Sequence, residues 1–141
     1  MQPRGVHHIG HAVVDLDSAL GDYQRLLAAR VEHRETVEEQ GVEAASVVVG
    51  NARIELLAPL GPDTPVGRFL AKRGPGMHHI AYLVDDVETA LAAAADAGAE
   101  LIDEHARVGL FGMQVAFVHP DSLHGVLIEF VQTGDQGGRH E

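Results

Sequence analysis

Histidines and glutamates recur in this chain at matched positions. His7-His8 and His78-His79 lie 71 residues apart. Each pair is followed about fifty residues later by a glutamate inside an apolar run, Glu55 in ARIELLA and Glu129 in VLIEFVQ. Imidazole nitrogens and carboxylate oxygens are ligands for borderline divalent cations. A carboxylate set among Ile, Leu, Val and Phe is costly to bury unless it is paired or metal-bound. A lone histidine on a strand is ordinarily a structural residue; the same pattern occurring twice is not. Two imidazoles and two carboxylates converging on one place would make a metal site.

The recurrence extends to the surrounding chain. Residues 5–20, GVHHIGHAVVDLDSAL, align without a gap on residues 76–91, GMHHIAYLVDDVETAL, with identities that include His7/His78, His8/His79 and Asp15/Asp86. A period this long exceeds the roughly 50 residues of solenoid repeats and indicates a duplicated module. Side chains alternate across a strand, so only one member of each histidine pair can reach a concave face shared by the two modules. The residues alone leave that choice open, and the partners, together with His11, then pack as polar or helix-facing residues. A nitrogen and oxygen donor set without sulfur suits six-coordinate Mn, Co, Ni or Zn, and four protein ligands leave two adjacent positions for a bidentate substrate.

The elements that must position these residues read as two βαβββ modules, an α+β fold with tandem modules forming a curled mixed sheet around a shared metal-binding concavity. In module one, residues 5–59, the half-buried strand 6–14 is followed by Asp15 to Ser18 as a helix cap and by Leu20, Tyr23, Leu26 and Leu27 at helical spacing. Strands are predicted at 30–37, 42–49 and 52–58, joined at Glu39-Gln40-Gly41 and Gly50-Asn51. A linker helix falls within residues 60–75, capped by Asp63 or Thr64, with Pro65 at its first position, Val66, Phe69 and Leu70 on one face and Gly74 as its stop. Module two, residues 76–132, predicts a strand at 77–84, an alanine-rich helix at 87–97 and strands near 99–104, 113–119 and 125–132. Residues 133–141 read as a tail. The 141 residues thus form a single domain.

Bulk composition excludes several function classes. With no cysteine there are no disulfides, thiolate metal sites or redox dithiols. A net charge of −11 argues against a nucleic-acid partner, which is bound through clustered Lys and Arg. The N-terminus lacks the apolar core of a signal peptide, and no apolar run approaches the roughly 18 residues of a membrane span. A soluble cytoplasmic protein with no membrane partner is the expectation.

The motifs HHIGHAVVDLDSAL, VEEQGVEAA, IELLAPLGPDTPVGRFLAKRGPGMHHIAYLVDD and FVHPDSLHGVLIEF resemble the vicinal oxygen chelate superfamily and, within it, the methylmalonyl-CoA epimerases. The resemblance spans residues 7–132. The histidine and glutamate signature is shared by many activities of the superfamily, whereas EQGV, the PDTPVGRFLAKRGPGMHHIA link and HPDSLHGVLIE are more particular to the epimerases. It implies that His8, Glu55, His79 and Glu129 are the metal ligands, choosing the second histidine of each pair. It also implies one divalent ion (Co, Mn, Ni or Zn), an acyl-CoA substrate and inversion at C2 of a malonyl-type thioester by proton removal on one face and return on the other. A homodimer is expected, since paired modules of this kind often associate through an edge strand.

The chain also departs from the epimerase pattern. Relatives with Gln as the ligand at the Glu55 position often carry a glutamate base at the position of Ala44. Glu43 is adjacent, but strand alternation points it to the opposite face unless a bulge intervenes, which makes it a solvated surface residue. The metal-bound carboxylates Glu55 and Glu129 are therefore the expected proton-transfer pair. In RVGLFG, residues 107–112, Leu110 and Phe111 add bulk where relatives keep small residues, which either packs a surface loop or resizes the acyl pocket. Arg34, Arg53, Lys72, Arg73 and Arg107 are the candidate partners for CoA phosphates, although Lys72-Arg73 at a helix C-terminus also serves the helix dipole. The competing activities are a glyoxalase-I-type lactoylglutathione lyase, which would use a similar metal set, and a metal-free small-molecule binding or resistance protein. An extradiol dioxygenase fits less well, because its iron takes a 2-His-1-carboxylate triad.

Overall fold

The computed structural model describes residues 2–133, and the predicted tail, residues 133–141, lies outside the described residues apart from its first residue. The chain divides into two compact units, His8–His78 and Met1–His7 with His79–Glu141.

The first unit is built from β1 (Gly5–Ala12), whose first residues belong to the other unit, α1 (Leu16–Leu27), β2 (Arg30–Val37), β3 (Val42–Val49), β4 (Ala52–Pro59) and α2 (Pro65–Arg73). The strands run in the order β2-β3-β4-β1, with β1 parallel to β4 and the other pairs antiparallel. The Asp15 carboxylate accepts the Ser18 N–H at 2.9 Å and so starts α1 at the predicted cap. Leu16 and Leu20, one turn apart, are buried against Ala45, Val47, Leu56 and Ala58, which defines the helix-facing side of the sheet. Thr64 proves to be the cap of α2, accepting the Gly67 N–H at 3.0 Å and donating to the Gly61 carbonyl at 2.8 Å. The β2–β3 turn must have glycine at position 41, because its φ is 68° and a Cβ there would lie 2.4 Å from Thr64 Cγ2.

The second unit contains β5 (Gly76–Leu83), whose first residues belong to the other unit, and α3 (Val87–Asp96), β6 (Arg107–Val108), β7 (Gln114–Val118) and β8 (Ile128–Gln132). The order is β5-β8-β7-β6, with β5 parallel to β8. Asp86 caps α3 through the Thr89 N–H at 3.0 Å, as Asp15 caps α1. Val87, Ala90 and Leu91 pack on Ala116, Val118 and Phe130. The N-terminal segment belongs to this unit. The Arg4 N–H donates to the Leu83 carbonyl at 2.7 Å, and the Arg4 guanidinium pairs with Asp85 at 3.2 Å. No described helix is long and apolar enough to cross a membrane.

The predicted strand at 99–104 does not form. Leu101 makes a single bridge to Val118, and the third strand of the module is the two-residue β6. Side-chain acceptors replace the ladder: Asp103 takes the Phe117 N–H at 2.9 Å, and Glu88 takes the Ala106 N–H at 2.7 Å. The Phe117 carbonyl meanwhile accepts the Ile102 and Asp103 N–H groups at 3.0 and 3.2 Å. These competing bonds are the local acceptor chemistry that keeps Asp out of strand interiors. β8 starts later than predicted, because His124 (φ 53°) and Gly125 (φ 96°) complete a turn after Pro120–Leu123.

Candidate metal centre

Strand register places the singled-out residues. In the first unit Gly10 lies beside Glu55, and Ser46 lies across from Glu55 on β3. Alternation from the helix-packed Ala45, Val47 and Leu56 puts His8, Ser46, Arg53 and Glu55 together on the face turned away from α1. His8 and Glu55 are 2% and 4% exposed, with Nε2 and Oε1 3.5 Å apart. The second unit repeats the arrangement. Ala81 lies beside Glu129, Phe117 lies across from it, and His79 Nε2 is 3.0 Å from Glu129 Oε1. His79 and Glu129 are 3% and 6% exposed. The His79 ring meets Phe117 edge-on at 5.9 Å, and Ala81, Val115 and Val131 make the face around the pair apolar.

The structure thus brings His8 to Glu55 and His79 to Glu129, and buries the second member of each histidine pair. The first members are only half-buried, and His78 packs its ring against Phe69 of α2 at 4.9 Å. His11 turns to the helix, its Nδ1 2.6 Å from the Tyr23 hydroxyl. Burial pushes its pKa down, in keeping with a packing role. Each unit offers one buried imidazole nitrogen beside one buried carboxylate oxygen, with apolar neighbours around Glu129 and the Ser46 and Arg53 side chains on the face of Glu55. That donor chemistry fits a borderline divalent cation.

Glu43 lies away from this face. β3 pairs with β4 without a register shift, so Glu43 stands opposite Ala58 on the helix-packed side. There Arg34 donates to it from Nη2 at 2.8 Å and reaches Asp17 of α1 from Nη1 at 2.8 Å. The two carboxylates raise the Arg34 pKa above its ordinary value. Ala44, fully buried opposite Leu57, shares the face of Glu55 and brings no acid to it.

The other candidate phosphate partners are also placed. Arg53 is paired with Glu32. Arg107 pairs with Asp103 at 3.2 Å and lies over the Phe117 ring at 5.4 Å. Lys72 and Arg73 end α2, with Arg73 over Phe69 at 5.8 Å. In the 107–112 segment Gly109 packs so closely on Val115 that a Cβ would lie 2.6 Å from Cγ2, and Phe111 takes a left-handed φ of 61°.

Sequence reasoning missed two residues of the Glu55 face, Glu32 and Ser46. The Ser46 hydroxyl, itself buried, donates to Glu32 Oε1 at 2.7 Å, and Arg53 Nε donates to the same oxygen at 2.5 Å. The Arg53 bond is the main cause that holds the Glu32 carboxyl below its ordinary pKa. Glu32 reaches this face through a bulge in β2, where the register shifts between Val31 and His33. An extra residue in a strand leaves no mark on apolar periodicity.

Comparison with known proteins agrees with this geometry. Residues 7–117 match the Glyoxalase/Bleomycin resistance protein/Dioxygenase superfamily. The chain belongs to that superfamily. Its relatives narrow the class to the epimerases, which are isomerases. The mitochondrial methylmalonyl-CoA epimerase of Bos taurus is 37% identical over 90% of this chain and 73% of its own length. The uncharacterized protein YqjC of Bacillus subtilis is 42% identical over 95% and 96%. Among solved structures, a variant methylmalonyl-CoA epimerase of Streptomyces coelicolor in complex with 2-nitronate-propionyl-CoA superposes with a TM-score of 0.90 at 35% identity, covering 95% of this chain and 97% of that one.

Proposed function

We propose that the chain inverts C2 of methylmalonyl-CoA, or of a close 2-alkylmalonyl-CoA, with His8, Glu55, His79 and Glu129 together holding one divalent ion. The observation that carries this reading is the repeated buried pair, His8 with Glu55 and His79 with Glu129, in a chain whose relatives are named as epimerases. An ion held by these four side chains would supply Lewis-acid stabilisation of the negative charge that develops as the C2 proton leaves, a contribution of several kcal/mol.

The residues of the chain do the rest. Glu55 and Glu129 are the proton-transfer groups, one for each face of C2, since Glu43 is engaged with Arg34 on the helix-packed side and Ala44 has no titratable group. A positioned carboxylate accepting and returning the proton contributes about 10²- to 10⁴-fold in rate. The apolar surface of Ala81, Val115, Val131 and Phe117 around Glu129 keeps water from competing for the carbanion.

The test is deuterium exchange. The purified protein, assayed for metal content and incubated with one epimer of methylmalonyl-CoA in deuterated solvent, should form the other epimer with deuterium at C2. Absence of exchange with that thioester, combined with turnover of a glutathione hemithioacetal, would refute the reading in favour of the glyoxalase-type reaction.

A further inference from the structure

The β2 bulge carries a consequence for the Glu55 half of the site. Before the bulge Val31 pairs with Val47, and after it His33 pairs with Ser46. Glu32, with no partner of its own, therefore lands beside His33 on the Ser46 face, while Arg34 is turned to the helix-packed face to meet Glu43 and Asp17. Bulges re-aim side chains in this way and are common beside active sites.

On the Ser46 face Glu32 takes one donor from each of two neighbours of Glu55. One is the buried Ser46 hydroxyl, directly across the antiparallel ladder. The other is Nε of Arg53, two residues along the same strand face, whose Nη2 also approaches Glu32 Oε2 at 3.4 Å. A donor or a cation beside a ligating carboxylate competes with a metal ion for its oxygen lone pairs.

We infer that Glu32 is a positioning residue for metal binding: it balances the Arg53 charge and draws the Ser46 hydroxyl proton away from Glu55, leaving the Glu55 carboxylate to the ion. This rests on the reading of Glu55 as a metal ligand. Partners one step removed from a metal ligand are typically worth about 10- to 100-fold in metal affinity.

The experiment is a titration of the full-length metal-free protein with Co²⁺ or Zn²⁺ against a chromophoric chelator, without substrate. Glu32→Gln keeps the shape and can still accept from Ser46 but loses the charge, and should weaken binding by about 10- to 100-fold. The double variant Glu32→Gln with Arg53→Gln removes the cation together with the carboxylate charge that faces it and should return to within about threefold of the parent, a rescue that a merely structural ion pair would not give. Glu32→Gln binding as tightly as the parent overturns the inference, and so does a double variant as weak as the single one. If Glu32→Gln does not fold, Arg53→Gln alone decides: binding equal to or tighter than the parent supports the inference, and weaker binding overturns it. A parent that binds no divalent ion refutes the proposed function and this inference with it, whereas a parent that binds beside unaffected variants refutes the inference alone.

Discussion

The assignment of the two proton-transfer groups is tested by a pair of substitutions on opposite faces of their sheets. Glu129 is 6% exposed, with His79 Nε2 at 3.0 Å from its carboxylate. Glu129→Gln leaves an oxygen able to ligate a metal but removes the group that accepts a proton. Exchange of the C2 proton should fall by about 10²- to 10⁴-fold, which at 1.36 kcal/mol per tenfold is about 2.7 to 5.4 kcal/mol of barrier, while metal content stays near the parent's. Glu43 stands opposite Ala58, beneath α1, and its partner Arg34 keeps Asp17 when the charge is lost. Glu43→Gln should therefore cost at most about 1 kcal/mol of stability, the upper end for an exposed ion pair, and hold exchange within a few-fold of the parent. Loss of deuterium incorporation is followed by proton NMR on methylmalonyl-CoA, with elemental analysis of each variant. Exchange that collapses in Glu43→Gln and survives in Glu129→Gln would refute the assignment, because it would require the carboxylate under α1 to reach the substrate.

Two further outcomes are expected. Phe111→Gly, at the tip of the segment that packs on Val115, should change the ratio of kcat/KM for ethylmalonyl- over methylmalonyl-thioester by the equivalent of at most about 1 to 3 kcal/mol per methylene, and an unchanged ratio would place the loop away from the acyl group. The second outcome concerns acid. Glu88 has its pKa lowered, chiefly by the Ala106 N–H, and Glu32 has its pKa lowered, chiefly by Arg53. A carboxyl whose folded pKa lies below its unfolded one stabilises the fold above the unfolded value and loses that contribution as pH falls through the folded value. Thermal unfolding should thus shift to lower temperature as pH drops below the ordinary glutamate range, and Glu88→Gln, which keeps an oxygen acceptor for Ala106 but cannot titrate, should flatten that slope. An identical slope in the variant would refute the role of Glu88.

Much of the arrangement was legible because it rests on period and on repetition. The strands 30–37 and 42–49 appear with the predicted bounds, since the turn at Gly41 fixes where one ends and the other begins. Asp15 and Asp86 cap their helices as the repeat implies. Period alone could not choose between His7 and His8, because either choice satisfies alternation. The choice follows from which side of the sheet α1 covers, a tertiary fact. The strand predicted at 99–104 fails because the Asp103 and Glu88 carboxylates take backbone donors that a ladder would have used, and the capacity of an acidic side chain to do this is not visible in apolar patterning. The Glu32 bulge was illegible for a related reason. One extra residue re-faces every side chain after it, so His33 and Arg34 exchange sides without any change in composition.

The attachment of the N-terminal segment to the second unit makes the first residues of the chain an instrument for watching both halves. The Arg4 amide is held by the Leu83 carbonyl at the end of the strand that carries His79, whereas the Val13 amide is held by the Leu57 carbonyl on the strand that carries Glu55. A single N-terminal peptide in a hydrogen-exchange experiment therefore contains one reporter for each half. If ligand binding tightened only the Glu55 half, the mass envelope of that peptide would split its protection at the boundary between Arg4 and Val13. A tag fused ahead of Gly5 would be felt first at Leu83, in the half encoded farthest from it.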